Sequence, residues 1–296
     1  MQYTQFKGTT VAMVTPFTAT GEIDEPNVKK LIDFHIENGT DVILACGTTG
    51  ESATMSYDEH QHMMELVVNY TNKRCPVMVG AGSNSTHEAV MMTKHAERHG
   101  ADCVLSVGPY YNKPTQEGFY QHFKAIAEST SLPIILYNVP GRTGSNITAA
   151  TTLRLAEIPN IIGVKEASGN MSQIMEILRR RPKDFLVLSG DDSLTLPLLA
   201  VGLDGIISVV ANETPALLHD MVHSAFAGNW EKARKIHFKL LPLMETNFIE
   251  SNPIPAKTAL AMMGMIEDNF RSPLVKMSEG NKAILRKVLQ DLELVK

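Results

Sequence analysis

Eight short apolar runs, each followed by a longer amphipathic stretch, leave this chain few ways to fold. The runs are TTVAMVTPF (9–17), DVILACG (41–47), PVMVGAG (76–82), ADCVLSVGPY (101–110), PIILYNVP (133–140), NIIGVKEA (160–167), FLVLSG (185–190) and DGIISVVAN (204–212). Between them lie segments of helical period such as PNVKKLIDFHIENG (26–39), DEHQHMMELVVNY (58–70), HEAVMMTKHAERHG (87–100) and GFYQHFKAIAEST (118–130). Runs apolar throughout fit parallel strands covered on both faces. Gly39, Gly100 and Gly202 mark helix ends, where a left-handed cap is common.

Eight strands each followed by a helix predict an α/β fold, a (β/α)8 TIM barrel. An open doubly wound sheet is the rival, but its phosphate loop is missing: Gly80-Ala81-Gly82 begins it and Ser85 stands where the third glycine belongs. From Asn229 the strand pattern stops. The expected division is therefore a barrel over 1–228 carrying the active site and a C-terminal helical region over 229–296 packed on it.

The composition narrows the partners. The chain of 296 residues is 44% hydrophobic and 20% charged, with a formal net charge of -5. This profile suits a globular protein with a large core. It provides no basic field for nucleic acid or an anionic membrane. Leu194–Ala211 is apolar enough to resemble a membrane span, yet Pro197, Gly202, Asp204 and Gly205 break it into a helix and a strand. Cys46, Cys75 and Cys103 lack metal-type or CxxC spacing and read as free thiols of a reducing compartment. MQYTQFKG has no signal-peptide core. The expectation is a cytoplasmic protein acting on small molecules.

Lys165 is the anomaly. It ends a strand whose other residues are built for burial, and an ammonium is costly to bury without a partner. It could snorkel to the rim or pair with a core carboxylate. The alternative follows from its place late in the sixth strand, because barrel active sites gather at the C-terminal strand ends. A free lysine is unprotonated in only about one molecule in a few thousand at pH 7. Desolvation lowers its pKa and makes the amine a nucleophile for a carbonyl.

Other strand ends supply companions. CGTTGES (46–52) offers two adjacent hydroxyls and the amides of a glycine turn, which suit a carboxylate. YNVPGRTG (137–144) brings a phenol and the fork of Arg142, which suits a second carboxylate. GPYYNKPTQEG (108–118) carries two tyrosines that point apart. His95 and His99 stand one helical turn apart, but on an outer helix among charged neighbours, so no metal is assigned to them. No GxSxG elbow supports a serine hydrolase. Lysine, tyrosine and threonine hydroxyls without a metal or cofactor loop point to Schiff-base chemistry on a keto acid.

The motifs GTTGE (47–51), PYYNKP (109–114), YNVPGRTG (137–144), GVKEASG (163–169), SGDD (189–192) and NPIPAK (252–257) occur together and in order. They resemble the dihydrodipicolinate synthase family, within the class I aldolase superfamily that includes N-acetylneuraminate lyase. The resemblance implies a cofactor-free lyase that condenses pyruvate with L-aspartate 4-semialdehyde to 4-hydroxy-tetrahydrodipicolinate, on the diaminopimelate and lysine pathway. It implies that Lys165 forms the Schiff base with pyruvate. Tyr137, Thr48 and Tyr111 match the proton relay, with Tyr111 reaching in from a neighbouring subunit. Thr49, with Thr48, matches the holder of the pyruvate carboxylate, Arg142 the receiver of the semialdehyde carboxylate, and Gly190 and Ile207 backbone positions lining the pocket.

The same resemblance implies a homotetramer built as a dimer of dimers and feedback inhibition by L-lysine. The matching lysine-site positions are Ser52, Ala53, Tyr57, His60, Asn84, Glu88 and Tyr110. Tyr57 departs from the pattern, standing where strongly inhibited members often have histidine. Two rival readings remain: another pyruvate lyase acting on a sugar acid, and a non-catalytic keto-acid-binding protein on the same barrel.

Overall fold

The structure is a computed structural model and describes residues 3–296. Eight parallel strands close in sequence order, with the eighth paired to the first. They are β1 (Gly8–Ala12), β2 (Val42–Ala45), β3 (Val77–Gly80), β4 (Cys103–Val107), β5 (Ile134–Asn138), β6 (Ile161–Glu166), β7 (Leu186–Ser189) and β8 (Gly205–Ser208). Each is shorter than its apolar run, because the downstream residues turn out of the sheet to build the loops of the mouth. The expected (β/α)8 barrel is present, and Leu194–Ala211 divides into a short helix, β8 and a turn. Among the described residues, no helix is long and apolar enough to cross a membrane.

The closing seam depends on two glycines. A Cβ on Gly205 would lie 2.1 Å from the Gly8 carbonyl oxygen, and Gly205 also has φ +146. Only glycine lets the backbones come that close.

Strand residues split by period two into two cores. Val42, Leu44, Met78, Ile135 and Tyr137 fill the barrel interior, while Ile43, Ala45, Val77, Ile134 and Leu136 face the helices. β6 breaks this alternation. Ile134 pairs with Ile161 but Ile135 pairs with Gly163, so Ile162 is an extra residue. Ile161 faces the helices, and strict alternation would send Lys165 to the same side. The inserted residue reverses the parity: Lys165 pairs with inward-facing Tyr137. A bulge next to a functional site commonly re-aims a side chain in this way.

After Asn229 come the helices Trp230–Thr246, Ile254–Met262 and Glu279–Asp291. Leu240, Leu243, Leu260, Leu285 and Leu289 join the same apolar cluster as the barrel helices. The end of the first of these helices and the segment that follows it pass over the barrel mouth, where Met244, Phe248 and Asn252 meet strand-end loops.

Candidate active site

At the C-terminal ends of the strands is a cavity of about 390 Å³. Lys165, Tyr137, Thr48, Thr49, Arg142 and Gly190 line it, so six sequence-selected residues from four strand-end segments meet there. The Lys165 side chain is 6% exposed. Its Nζ lies 4.3 Å from the centre of the Tyr137 ring, and it has no ion pair among the described residues. Burial lowers its pKa to about 7; Arg142 pushes the same way, and the nearby Asp192 carboxylate opposes both. Much of this lysine is therefore neutral at neutral pH, the state that attacks a carbonyl.

Gly190 provides room for this amine. A Cβ there would fall 2.9 Å from Lys165 Cε and 2.6 Å from the Ala167 methyl. Tyr137 is buried, which raises its pKa, while Arg142 and a hydrogen bond with the Thr48 hydroxyl pull it back. A phenol and an alcohol are thus joined beside the nucleophile.

The turn bearing Thr48 and Thr49 is held from below and behind. Thr15 Oγ1 donates to the Gly50 carbonyl at 2.7 Å. Glu51, at φ +53, sends its carboxylate to Lys257 Nζ at 2.5 Å. Asn252 Nδ2 donates to Thr49 Oγ1 at 3.0 Å, and the Asn252 carbonyl accepts from Arg142 at 3.5 Å. The NPIPAK motif therefore supports the site from the tail, a role that sequence reading quoted but did not assign. Asp192 was also unassigned. It is buried, and its carboxylate accepts from Ser208 Oγ at 2.5 Å and from the amides of Val209 and Val210.

Two expected members lie elsewhere. Tyr111, at φ +70, is 89% exposed and is not part of this cavity's lining. Ile207 is packed in the barrel interior, while Val209 supplies the lining on that side.

A second cavity, of about 600 Å³, lies on the flank. Ser52, Ala53, Tyr57, His60, Glu88 and Tyr110 line it, and the Asn84 amide donates to the Tyr110 carbonyl at 3.2 Å. Hydrogen bonds from Tyr57 and Ser83 hold the Glu88 carboxyl below its ordinary pKa. His60 Nε2 is 2.8 Å from the Gly80 carbonyl, which can only accept, so the proton is on that nitrogen and Nδ1 is the free acceptor. Thr48, Val139 and Arg142 line both cavities. The clusters of metal-type side chains are remote from the mouth: Asp41, His219 and His223 beside the start of β1, and Glu65, His95 and His99 on outer helices.

The model of the dihydrodipicolinate synthetase family matches residues 5–292. A 4-hydroxy-tetrahydrodipicolinate synthase of Syntrophus aciditrophicus is 54% identical over 290 residues, covering 98% of this chain and 99% of that protein. Among solved structures, the dihydrodipicolinate synthase of Aquifex aeolicus is 49% identical with a TM-score of 0.96, covering 98% of this chain and 99% of its own. The Acinetobacter baumannii enzyme complexed with pyruvate is 45% identical, TM-score 0.96, over 98% and 99% of the two chains. The Cyanidioschyzon merolae enzyme with lysine bound is 42% identical, TM-score 0.96, over 98% and 99%.

Proposed function

From the premise that this chain belongs to the dihydrodipicolinate synthetase family, we propose that it condenses pyruvate with L-aspartate 4-semialdehyde to 4-hydroxy-tetrahydrodipicolinate. The observation that carries the reading is Lys165: buried, unpaired, with a pKa lowered to about 7 and beside a hydrogen-bonded phenol.

The neutral Nζ attacks C2 of pyruvate; a proton delivered to the carbinolamine oxygen lets it leave as water, and the nitrogen keeps its own proton as a protonated imine. This electron sink acidifies the pyruvate methyl, which loses a proton to give an enamine. The enamine carbon bonds to the aldehyde carbon, whose oxygen takes a proton. The amino group of the semialdehyde then attacks the imine carbon, closes the ring and releases Lys165. Protons move at each step, and Tyr137 with Thr48 is the adjacent path for them.

Thr49 with Thr48 holds the pyruvate carboxylate; that this cavity takes pyruvate at all is supported by the Acinetobacter relative having been complexed with it. Arg142, exposed at the rim, receives the semialdehyde carboxylate. The backbone at Gly190 completes the wall, with Val209 in the place expected for Ile207. Tyr111 completes the relay of a second subunit; its exposure and left-handed backbone suit a side chain held out toward a partner. The active unit is then at least a dimer, within a homotetramer. Residues 229–296 form the helical region that buttresses the mouth. The flank cavity is a site for L-lysine; that a family member binds lysine is supported by the Cyanidioschyzon merolae relative. Glu88 takes the α-ammonium, Asn84 and Tyr110 the carboxylate, and Ser52, Ala53, Tyr57 and His60 the side-chain ammonium. The shared wall of Thr48 and Arg142 is its route to the catalytic groups. Three free thiols suit the cytoplasm.

The test is a coupled assay with pyruvate and aspartate 4-semialdehyde, alongside borohydride trapping. Activity and one pyruvate-derived adduct per chain are expected, both lost in Lys165→Ala. A sugar-acid cleavage activity without synthase activity would reject the substrate assignment; a full adduct in the variant would reject the nucleophile. Mixed Tyr111→Phe and Lys165→Ala chains should recover activity, and failure despite demonstrated subunit exchange would reject the shared relay.

A further inference from the structure

We propose that Glu65, His95 and His99 form a binding site for a divalent transition-metal ion of the zinc type, outside the catalytic cavity. Glu65 belongs to the helix Tyr57–Thr71 and His95 to the neighbouring helix Thr86–Arg98, which His99 caps. His95 Nε2 is 3.0 Å from Glu65 Oε1, and His99 Nε2 is 3.6 Å from the same oxygen. The three donor atoms all lie within 4.8 Å of one another. Zinc bonds of roughly 2.0–2.2 Å in a tetrahedral shell place neighbouring donors about 3.3–3.5 Å apart. The observed separations to Glu65 bracket that spacing.

A histidine–carboxylate ion pair is the plainer explanation of the cluster, and two features argue against it. His95 is 6% exposed and its Nε2 is buried, and its one close partner, Glu65 Oε1 at 3.0 Å, lies off the direction of a good hydrogen bond. A buried nitrogen whose contact is poorly directed is only partly satisfied, and a metal ion between it and the carboxylate would satisfy both. The imidazoles are also stacked, with centroids 4.3 Å apart and planes 16° from parallel. Stacking brings both ε nitrogens close to one oxygen. Two protonated rings so placed would repel, whereas two neutral rings can share one ion.

Two imidazoles and one carboxylate favour zinc or a similar borderline ion over magnesium or calcium, which prefer all-oxygen shells. His99 and Glu65 are about one-third exposed, which leaves an entry path and a fourth position for water. The ion would tie two adjacent barrel helices together. The second candidate cluster is a weaker case, because Asp41 Oδ2 already accepts from the Thr9 amide and hydroxyl.

The experiment is zinc titration by calorimetry of the full-length, chelator-stripped protein, repeated on His99→Ala and Glu65→Gln. Both positions are partly exposed, so the fold should survive, as circular dichroism will check. The parent should bind zinc, and His99→Ala should remove one equivalent per chain. Glu65→Gln should weaken that equivalent by about tenfold or more. Excess magnesium should not displace it. A melting temperature that rises with zinc in the parent but not in His99→Ala supports the same site. The proposal is overturned if the parent binds no zinc at about 100 µM, or if stoichiometry and affinity are the same in both variants. It is also overturned if bound zinc is lost only in His223→Ala, which places the ion at the other cluster.

Discussion

Two lysines are buried among the described residues, and they are opposites. Lys165, at the mouth, has no ionic partner and lies beside the Tyr137 ring. Lys257, in the tail, is fully buried, bonded to Glu51 at 2.5 Å and flanked by the Phe17 and Phe270 rings. Burial lowers the pKa of both; Glu51 opposes the shift at Lys257 directly, whereas Asp192 acts on Lys165 only through space. An unpaired buried amine costs stability and becomes reactive. A paired one fixes two segments together, here the GTTGE turn to the helix Ile254–Met262.

The sharpest way to break this contrast is the same substitution at both places. Lys165→Met should lower synthase activity by about 10⁴-fold or more, since no other amine can form the imine. It should also stabilise the fold. The unfolded chain's lysine titrates near about 10.4 and the folded Lys165 at about 7. Between those values the unfolded state binds more protons, so burying Lys165 is unfavourable. Lys165→Met removes that cost, a gain on the order of a few kcal/mol at pH 7 that fades towards about pH 10.5. Denaturant unfolding at the two pH values measures it, and a loss of stability would break the comparison.

Lys257→Met should do the reverse, destabilising by about 3–5 kcal/mol by stranding the Glu51 carboxylate. Adding Glu51→Gln should recover much of the loss. If the double variant is no better than the single, the pair is not the reason.

The pH dependence of borohydride trapping sharpens the Lys165 side. The neutral amine reacts, so the rate should climb through about pH 7, falling about tenfold per unit well below it. A rate limb near the ordinary lysine range would show that desolvation does not act here. The smallest effect should come from Asp192→Asn. Removing that charge lowers the Lys165 pKa further, so the limb should move to lower pH; an unmoved limb would remove Asp192 from the electrostatics of the site.

The histidines show where pattern reading stops. His95 and His99 were visible as a helical pair, but Glu65, which meets them, comes from another helix thirty residues earlier. Asn252 escaped for the same reason: its amide reaches Thr49 across the whole chain. No local period encodes such a meeting. Tyr111 was singled out by its motif, yet within one chain its amide reaches the Thr143 carbonyl while its side chain stays 89% exposed, outside the mouth cavity.

The order of elements belongs to the sequence. Two alternating periods force eight strands and their covering helices, and parallel strands buried on both faces close most simply into a barrel. The chemistry of Lys165 was legible too, since an amine at the end of a buried strand needs a reason. Its direction was not. Alternation counted from Ile161 points Lys165 at the helices, and the residue inserted at Ile162 turns it into the mouth. A bulge is a relation between two strands, set by how β5 and β6 pair, and pairing exists only once the barrel is closed.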